Sequence, residues 1–574
     1  MHDLLIKGGT VVDGTGATAR TADVAVEGGI VAAVGKVGGP ARRTINAEGA
    51  LVLPGWVDIH THYDGQATWD PELTPSSLHG VTTTVFGNCG VGFAPVRPGS
   101  EPYLINLMEG VEDIPGTVLA EGVDFRWESF PEYMDVMAET PRTMDVGTQV
   151  PHGVLRFYVM GDRGADHETV PTEDEIAEMR DLAEAALRAG ALGISTSRTT
   201  KHKAADGRMT PGLSADQAEL FGLADAMRRA DAGVFQCNTD FGPGEYGILE
   251  DVARHSGRPL SVLLLQIDRE PLRWRETLDS IERSNRAGMQ VRGQVGCRPI
   301  GVMMGLDTSM NPFATHPAWR AIAELSPAAR IAALREADLQ RRLVEERPTD
   351  SYTKFMAYGL TRASEFTPGF DYEPLPIETI AARADAASRS PWDVALETML
   401  NYDGNGLLFF PFENYSDGNL AVIRELLMSP HTVCGLGDGG AHVATLCDAG
   451  YPTFLLSYWA RDRIKGPGLP LEHLVRKQTA ATAQSYGLHD RGQLQPGFRA
   501  DINVVDFEAL QVTRPEIVYD LPAGGKRLVQ GAEGYLHTFV SGVEVRSMGE
   551  FTGARPGRLL RGATALPGTA RTAA

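Results

Sequence analysis

Cysteine is scarce. Five residues in 574, at positions 89, 237, 297, 434 and 447, are odd in number and follow no spacing pattern. That excludes a disulfide framework and fits a reducing compartment, so a cytoplasmic location is expected. Long apolar runs are also missing, and none approaches the ~18 residues that a membrane span needs. Met1-His2-Asp3 leads straight into Leu4-Leu5-Ile6 with no basic stretch before an apolar core, so no signal peptide is expected. The formal charge of -21 is spread without long acidic runs, which argues against nucleic acid or an anionic membrane as partner. Hydrophobic residues are plentiful at 43%, enough for one large core with appendages.

The most informative stretch is Pro54-Gly55-Trp56-Val57-Asp58-Ile59-His60-Thr61-His62-Tyr63-Asp64. An apolar run after a Pro-Gly turn reads as a short buried strand, in which residues two apart share a side, so His60 and His62 face one way. Two imidazoles so placed suit a transition metal better than Mg or Ca. By chance a chain of this composition would show roughly 0.3 such pairs, so the placement carries more than the motif.

The first fifty residues read as short strands and turns, and similar stretches recur at 500–506 and 537–545. Together they suggest a small β-sandwich built from both termini. Between them, apolar strands alternate with amphipathic helices. Thr172 and Glu175 form a capping box for one helix, and Ser214 and Gln217 read as the cap of the next. Strands at 54–60, 81–87, 145–150, 191–195, 234–238, 260–266, 290–295 and 432–437 number eight, which fits an α/β fold with a parallel (β/α)8 TIM barrel. Gly406 to Phe410 is a ninth candidate, and charged helical stretches near 300–400 read as an insertion late in the barrel. The expected organisation is sandwich at 1–53, barrel at 54–480, sandwich again at 481–560 and a flexible tail at 561–574.

Barrel chemistry sits at the C-terminal ends of the strands, where His60, His62, Cys89, His152, Asn238, Gln266, Arg298 and Asp438 wait. Cys89, flanked by Asn88 and Gly90, reads as a metal ligand or a plain buried thiol. Asp438 lies in Gly437-Asp438-Gly439-Gly440, where glycines let a carboxylate approach an ion closely; a turn aspartate is the alternative. His152, His202 and His442 read as structural or rim residues.

These motifs resemble the amidohydrolase superfamily, and within it the N-acyl-D-amino-acid deacylase (D-aminoacylase) branch. The matching pieces are Leu5 to Gly14, Pro54 to Asp64, Gly80-Val81-Thr82-Thr83, Gly87-Asn88-Cys89-Gly90, Gly190 to Thr196, Gly437-Asp438-Gly439, Asp490-Arg491-Gly492 and Gly497 to Asp501. The resemblance implies a metal-bearing barrel in which His60, His62 and Asp438 hold one metal position and Cys89 serves or bridges a second. In the branch, histidines ending strands five and six complete that second position. Here Cys237-Asn238 and Leu265-Gln266 stand in their place, so one ion rather than two, zinc or another divalent transition metal, is expected on His60, His62, Cys89 and Asp438.

Coordination lowers the pKa of water from about 15.7 towards ~7. Asp438 would act as general base and return the proton to the leaving amine. The expected substrate is a small-molecule amide. Arg298 is the first candidate to bind its carboxylate, with Arg198 and Lys201 behind it, and Asn238 and Gln266 would donate hydrogen bonds. Two alternatives remain open: an amidohydrolase acting on a cyclic amide, carbamoyl group or natural-product amide, and an inactive barrel that serves as a binding partner. The sequence also leaves a homo-oligomer open.

Overall fold

Eight apolar stretches of the middle region pair in parallel, each buried on both faces as parallel strands between helices must be. The computed structural model describes residues 1–568. Trp56–Asp58, Val81–Phe86 and Asp145–Thr148 form one ladder; Val150–Pro151, Gly193–Arg198, Val234–Thr239, Leu260–Leu263, Val291–Val295 and Thr432–Cys434 form a second. The third strand is broken at Gln149, whose N–H donates to Phe86 O at 3.0 Å. Trp56–Asp58 and Thr432–Cys434 share no ladder. Just beyond them, Asp438 N donates to His60 O (3.0 Å) and His62 N to Gly439 O (2.8 Å), which joins the first and last strands at the level of the site.

The helices follow their caps. Glu173–Ala189 opens on the Thr172/Glu175 capping box. The next helix, Gln217–Ala230, is capped by Asp216, whose side chain accepts from Glu219 N. Ser214, expected there, instead pairs through Oγ with His167. A carboxylate one residue before the first helical turn is the better acceptor and takes the position.

Leu408–Glu413, the ninth strand candidate, pairs antiparallel with Ile300–Met304 and with Ser364–Glu365 in a separate sheet of the inserted region. Its unbroken apolar run has a simple cause: Leu408 and Phe410 face the insertion's own core, while Leu407 and Phe409 pack into the main core.

The chain ends form one nine-stranded sheet, in which Leu51–Pro54 runs antiparallel to Ile502–Val505 and joins the N-terminal strands to the C-terminal ones. It is tied to the parallel sheet by a buried ion cluster. Arg491 Nη1 donates to Asp145 Oδ2 (2.8 Å) and Arg499 Nη2 to Asp145 Oδ1 (2.9 Å). The tail expected from Arg561 onward is hydrogen-bonded as far as Thr564: Gly562 N donates to Gly190 O and Thr564 N to Gly487 O. Its last six residues lie outside the described ones. No helix among the described residues is long and apolar enough to cross a membrane.

Candidate metal centre

His60 and His62 lie just past the three-residue strand Trp56–Asp58, on backbone that neighbouring segments hold extended, and their ring centroids are 5.4 Å apart. The turn after Val81–Phe86 is fastened residue by residue. Asn88 Nδ2 donates to Thr61 O and Val85 O, Cys89 N to Gln236 Oε1, and Gly90 N to Ser195 Oγ. Cys89 (φ 56°) and Asp438 (φ 47°) both occupy the left-handed region. Non-glycine residues hold that region only when their surroundings impose it, and they concentrate at working sites. The glycines around Asp438 answer a close approach: a Cβ on Gly437 would strike Asp58 Oδ2, and one on Gly439 would strike Ser76 Oγ.

The side chains converge. Cys89 Sγ lies 3.5 Å from His60 Nε2, and Asp438 Oδ1 lies 3.5 Å from His60 Nε2 and 3.8 Å from His62 Nε2. Ligand atoms of His60, His62 and Cys89 all fall within 4.8 Å of one another. His60 Nδ1 is 2.7 Å from Gln294 Oε1. An amide oxygen only accepts, so Nδ1 carries the proton and Nε2 turns a lone pair to the centre. Gln294 is itself held, its Nε2 donating to Ser261 Oγ at 2.9 Å. His62 Nδ1 faces Glu112 Oε1 at 3.3 Å without hydrogen-bond alignment, and neither atom has another partner among the described residues.

Burial governs the charges. It lowers His60 to about 4, against the pull of Gln294, and lowers His62 well below the usual imidazole value, helped by His60, His442 and His202. Both rings are therefore neutral near pH 7, the form that ligates metal. Burial also raises the carboxyls, Asp58 and Asp64 to about 7 and Glu112 and Asp438 well above their ordinary range; Asp448 and Asp58 push Asp438 further. The Cys89 thiol is pushed up by burial and then by Glu112 and Asp438. Three buried acids and the largely buried Asp438 surround a neutral imidazole pair, with Asp58 Oδ2 and Glu112 Oε1 unpartnered. A divalent cation reverses the upward shifts of the carboxyls and the thiol, keeps the imidazoles in the neutral form that ligates, and satisfies the donor set, so the residues fit a metal ion.

The cavity beside this centre measures about 250 Å³. Asn238 lines it, as do Glu112, Lys201, His202, Glu413 and His442, while Leu263, Leu265, Ile300, Val302 and Phe412 form an apolar wall. His202 and His442, read from sequence as structural or rim residues, thus reach the site; His202 Nδ1 lies 3.0 Å from Ser197 Oγ. His152 is held away in a buried network with Thr196 and Glu219.

Two expected substrate contacts lie elsewhere. Arg298 is fully buried: Nη2 donates to Cys447 O (2.7 Å), and its guanidinium stacks on Tyr372 at 4.0 Å. Its Nε and Nη1 have no hydrogen-bond partner among the described residues, and its charge is met by Asp448 at 3.4 Å and by the aromatic faces around it. Gln266 holds the segment 414–417, with Nε2 donating to Asp417 Oδ2 and Oε1 accepting from Ser416 N. The cation that lines the cavity is Lys201, paired with Glu413. Arg198 pairs with Glu245. Glu112 was missed by the sequence reading, although Leu104, Met108 and Glu112 at i, i+4 spacing put it on the buried face of helix Glu101–Glu112.

A cluster of imidazole, thiol and carboxylate at the C-terminal ends of parallel strands, beside a cavity of substrate size, defines a metal-dependent hydrolase. The chain belongs to the amidohydrolase family, whose model matches residues 43–546. It is 29% identical over 569 residues to the D-aminoacylase of Alcaligenes xylosoxydans xylosoxydans, covering 97% of each chain. It is 28% identical over 576 residues to the N-acyl-D-aspartate deacylase of the same organism, covering 98% of this chain and 96% of that one. A solved D-aminoacylase, described with a binuclear metal centre that one metal activates and a second attenuates, superposes with a TM-score of 0.64. Its identity is 25%, with 98% of this chain and all of that one covered. The chain is therefore a metal-dependent amidohydrolase that resembles the N-acyl-D-amino-acid deacylases.

Proposed function

We propose that the chain removes the acyl group from an N-acyl-D-amino acid in a reducing, cytoplasmic setting, using one zinc ion held by His60, His62, Cys89 and Asp438. The eight parallel strands then close as a (β/α)8 barrel, and the terminal sheet folds over as a sandwich. The observation that carries this reading is the convergence of two neutral imidazoles, a thiol and a carboxylate within one coordination sphere's reach. One ion is favoured because Asn238 and Gln266 replace, at the ends of strands five and six, the imidazoles that the resemblance calls for, and Gln266 is committed to Asp417 and Ser416 away from the cavity. The D-aminoacylase described as activated by one metal offers a precedent.

A bound zinc ion supplies a water of lowered pKa and polarises the scissile carbonyl. Asp438 Oδ1, facing both imidazoles, accepts the proton of the attacking water and delivers it to the departing amine. Asn238 donates to the substrate from the strand end. Lys201 meets the substrate carboxylate at the rim, in exchange for Glu413. The wall of Ile300, Val302 and Phe412 receives an apolar acyl or side chain.

The test combines elemental analysis of protein purified without chelator with an activity panel of N-acyl-D-amino acids, their L-enantiomers and cyclic amides. The reading expects about one equivalent of zinc and hydrolysis of N-acyl-D-amino acids. Turnover of cyclic amides alone would refute the substrate class, and protein that neither retains nor responds to zinc would refute the site.

A further inference from the structure

At the N-terminal ends of four neighbouring parallel strands, away from the metal centre, a cavity of about 140 Å³ opens beside Val234, Leu260, Arg292 and Thr432. Helix Leu471–Gln478 forms the facing wall with His473, Arg476 and Lys477. No carboxylate lines it, although the chain carries a formal charge of -21.

Lys477 is the one lysine buried among the described residues. Its side chain is 4% exposed, and Nζ donates only to neutral acceptors, Ser429 O at 2.6 Å and Thr432 Oγ1 at 2.8 Å. An ammonium has three protons to place; the third has no partner among the described residues. Arg292 Nη1 likewise meets only Asn285 Oδ1 and Val291 O, both at 2.9 Å. Other buried cations face acids, Arg491 with Asp145, Arg463 with Glu373 and Arg298 with Asp448, while Arg142 and Arg546, like Lys477, donate only to uncharged oxygens. Burial lowers Arg292 with no acid opposing it, and lowers Lys477 to about 8, with Arg476 and Arg292 driving it further. The nearby acid Glu282 bears on His431 and pairs with Arg286.

We propose that this cavity binds a tetrahedral oxyanion, either inorganic phosphate or the phosphate group of a small phosphomonoester, through Lys477, Arg292 and Arg476. A phosphate oxygen takes the free ammonium proton while guanidinium forks close from the sides. The site also has a mechanical consequence. Lys477 holds Thr432, where the strand leading to Asp438 begins, and its neighbour Gln478 donates to Val57 O in the strand leading to His60. An anion there braces the one seam of the parallel strands that lacks a ladder.

The test is isothermal titration of the zinc-loaded protein with inorganic phosphate and, separately, with glycerol phosphate, against chloride at equal ionic strength. Thermal unfolding is followed in the same buffers. Saturable binding of either probe and a concentration-dependent rise in Tm are expected, and whichever probe binds identifies the source of the phosphate. R292Q and R476Q, at a half-buried and an exposed position of the lining, are expected to weaken binding about tenfold or more. H60A is expected to bind as the parent does, which separates this cavity from phosphate on the metal. Absence of saturable binding below about 10 mM, undiminished affinity in both arginine variants, or loss of binding in H60A would each overturn the proposal.

Discussion

At the scale of single residues, the chemistry depends on which atoms point at the centre and what holds them there. His60→Ala and Asp438→Ala are each expected to abolish turnover, and His60→Ala to release the metal, read by activity and elemental analysis. Glu112 Oε1 faces His62 Nδ1 at 3.3 Å, close enough to orient the ring once the two align. Glu112→Gln is expected to weaken zinc affinity by about 10–100-fold, read by chelator competition; a merely structural role would lower Tm and leave that affinity unchanged. His79, buried between Thr453 Oγ1 and Gln530 O, is lowered to about 3 by burial. As pH falls from 6.5 towards 3 the unfolded chain takes up this proton before the folded one, so its contribution weakens stability over that window. Urea midpoints measured across it should fall less steeply in His79→Gln than in the parent. Much of this was legible in the sequence: the His-x-His spacing, the glycines around Asp438 and the Asn-Cys turn. Arg298 was not, because a strand-end position says nothing about whether neighbouring aromatics and carbonyls will claim the side chain. Gln294 and Gln236 lie inside strands, where sequence offers no sign that they hold His60 and the Cys89 turn.

At the scale of elements, the inserted antiparallel sheet contributes the cavity's apolar wall through Ile300, Val302 and Phe412. Phe412 packs edge-on against Phe355 and Phe410, so the wall is braced from within the insertion. Phe412→Ala is expected to raise KM for substrates with long acyl or bulky apolar groups while kcat changes little, because the contact is equal in ground and transition states. Equal losses in kcat for small and large substrates would contradict that role. The insertion was legible only as a charged helical interruption. Its strand Leu408–Glu413 was indistinguishable from one of the parallel strands, since both are apolar on two faces and only the partner strands differ.

At the scale of the whole molecule, ends more than four hundred residues apart fold as one sheet, and Arg491 fixes that sheet to the parallel strands through Asp145. Arg491 and Asp145 are fully buried, so Arg491→Met is expected to destabilise the protein in chemical denaturation, by less than the ~3–5 kcal/mol of a buried pair broken outright, because Asp145 keeps Arg499. The same long-range closure brings His60, Cys89 and Asp438 from the first, second and last parallel strands to one point. That convergence is the central claim, and an anomalous-scattering map at the zinc edge, on crystals of protein grown without chelator, tests it most directly. One peak is expected within bonding distance of His60 Nε2, His62 Nε2, Cys89 Sγ and Asp438. A peak held by other side chains, or none after zinc is supplied, would contradict it.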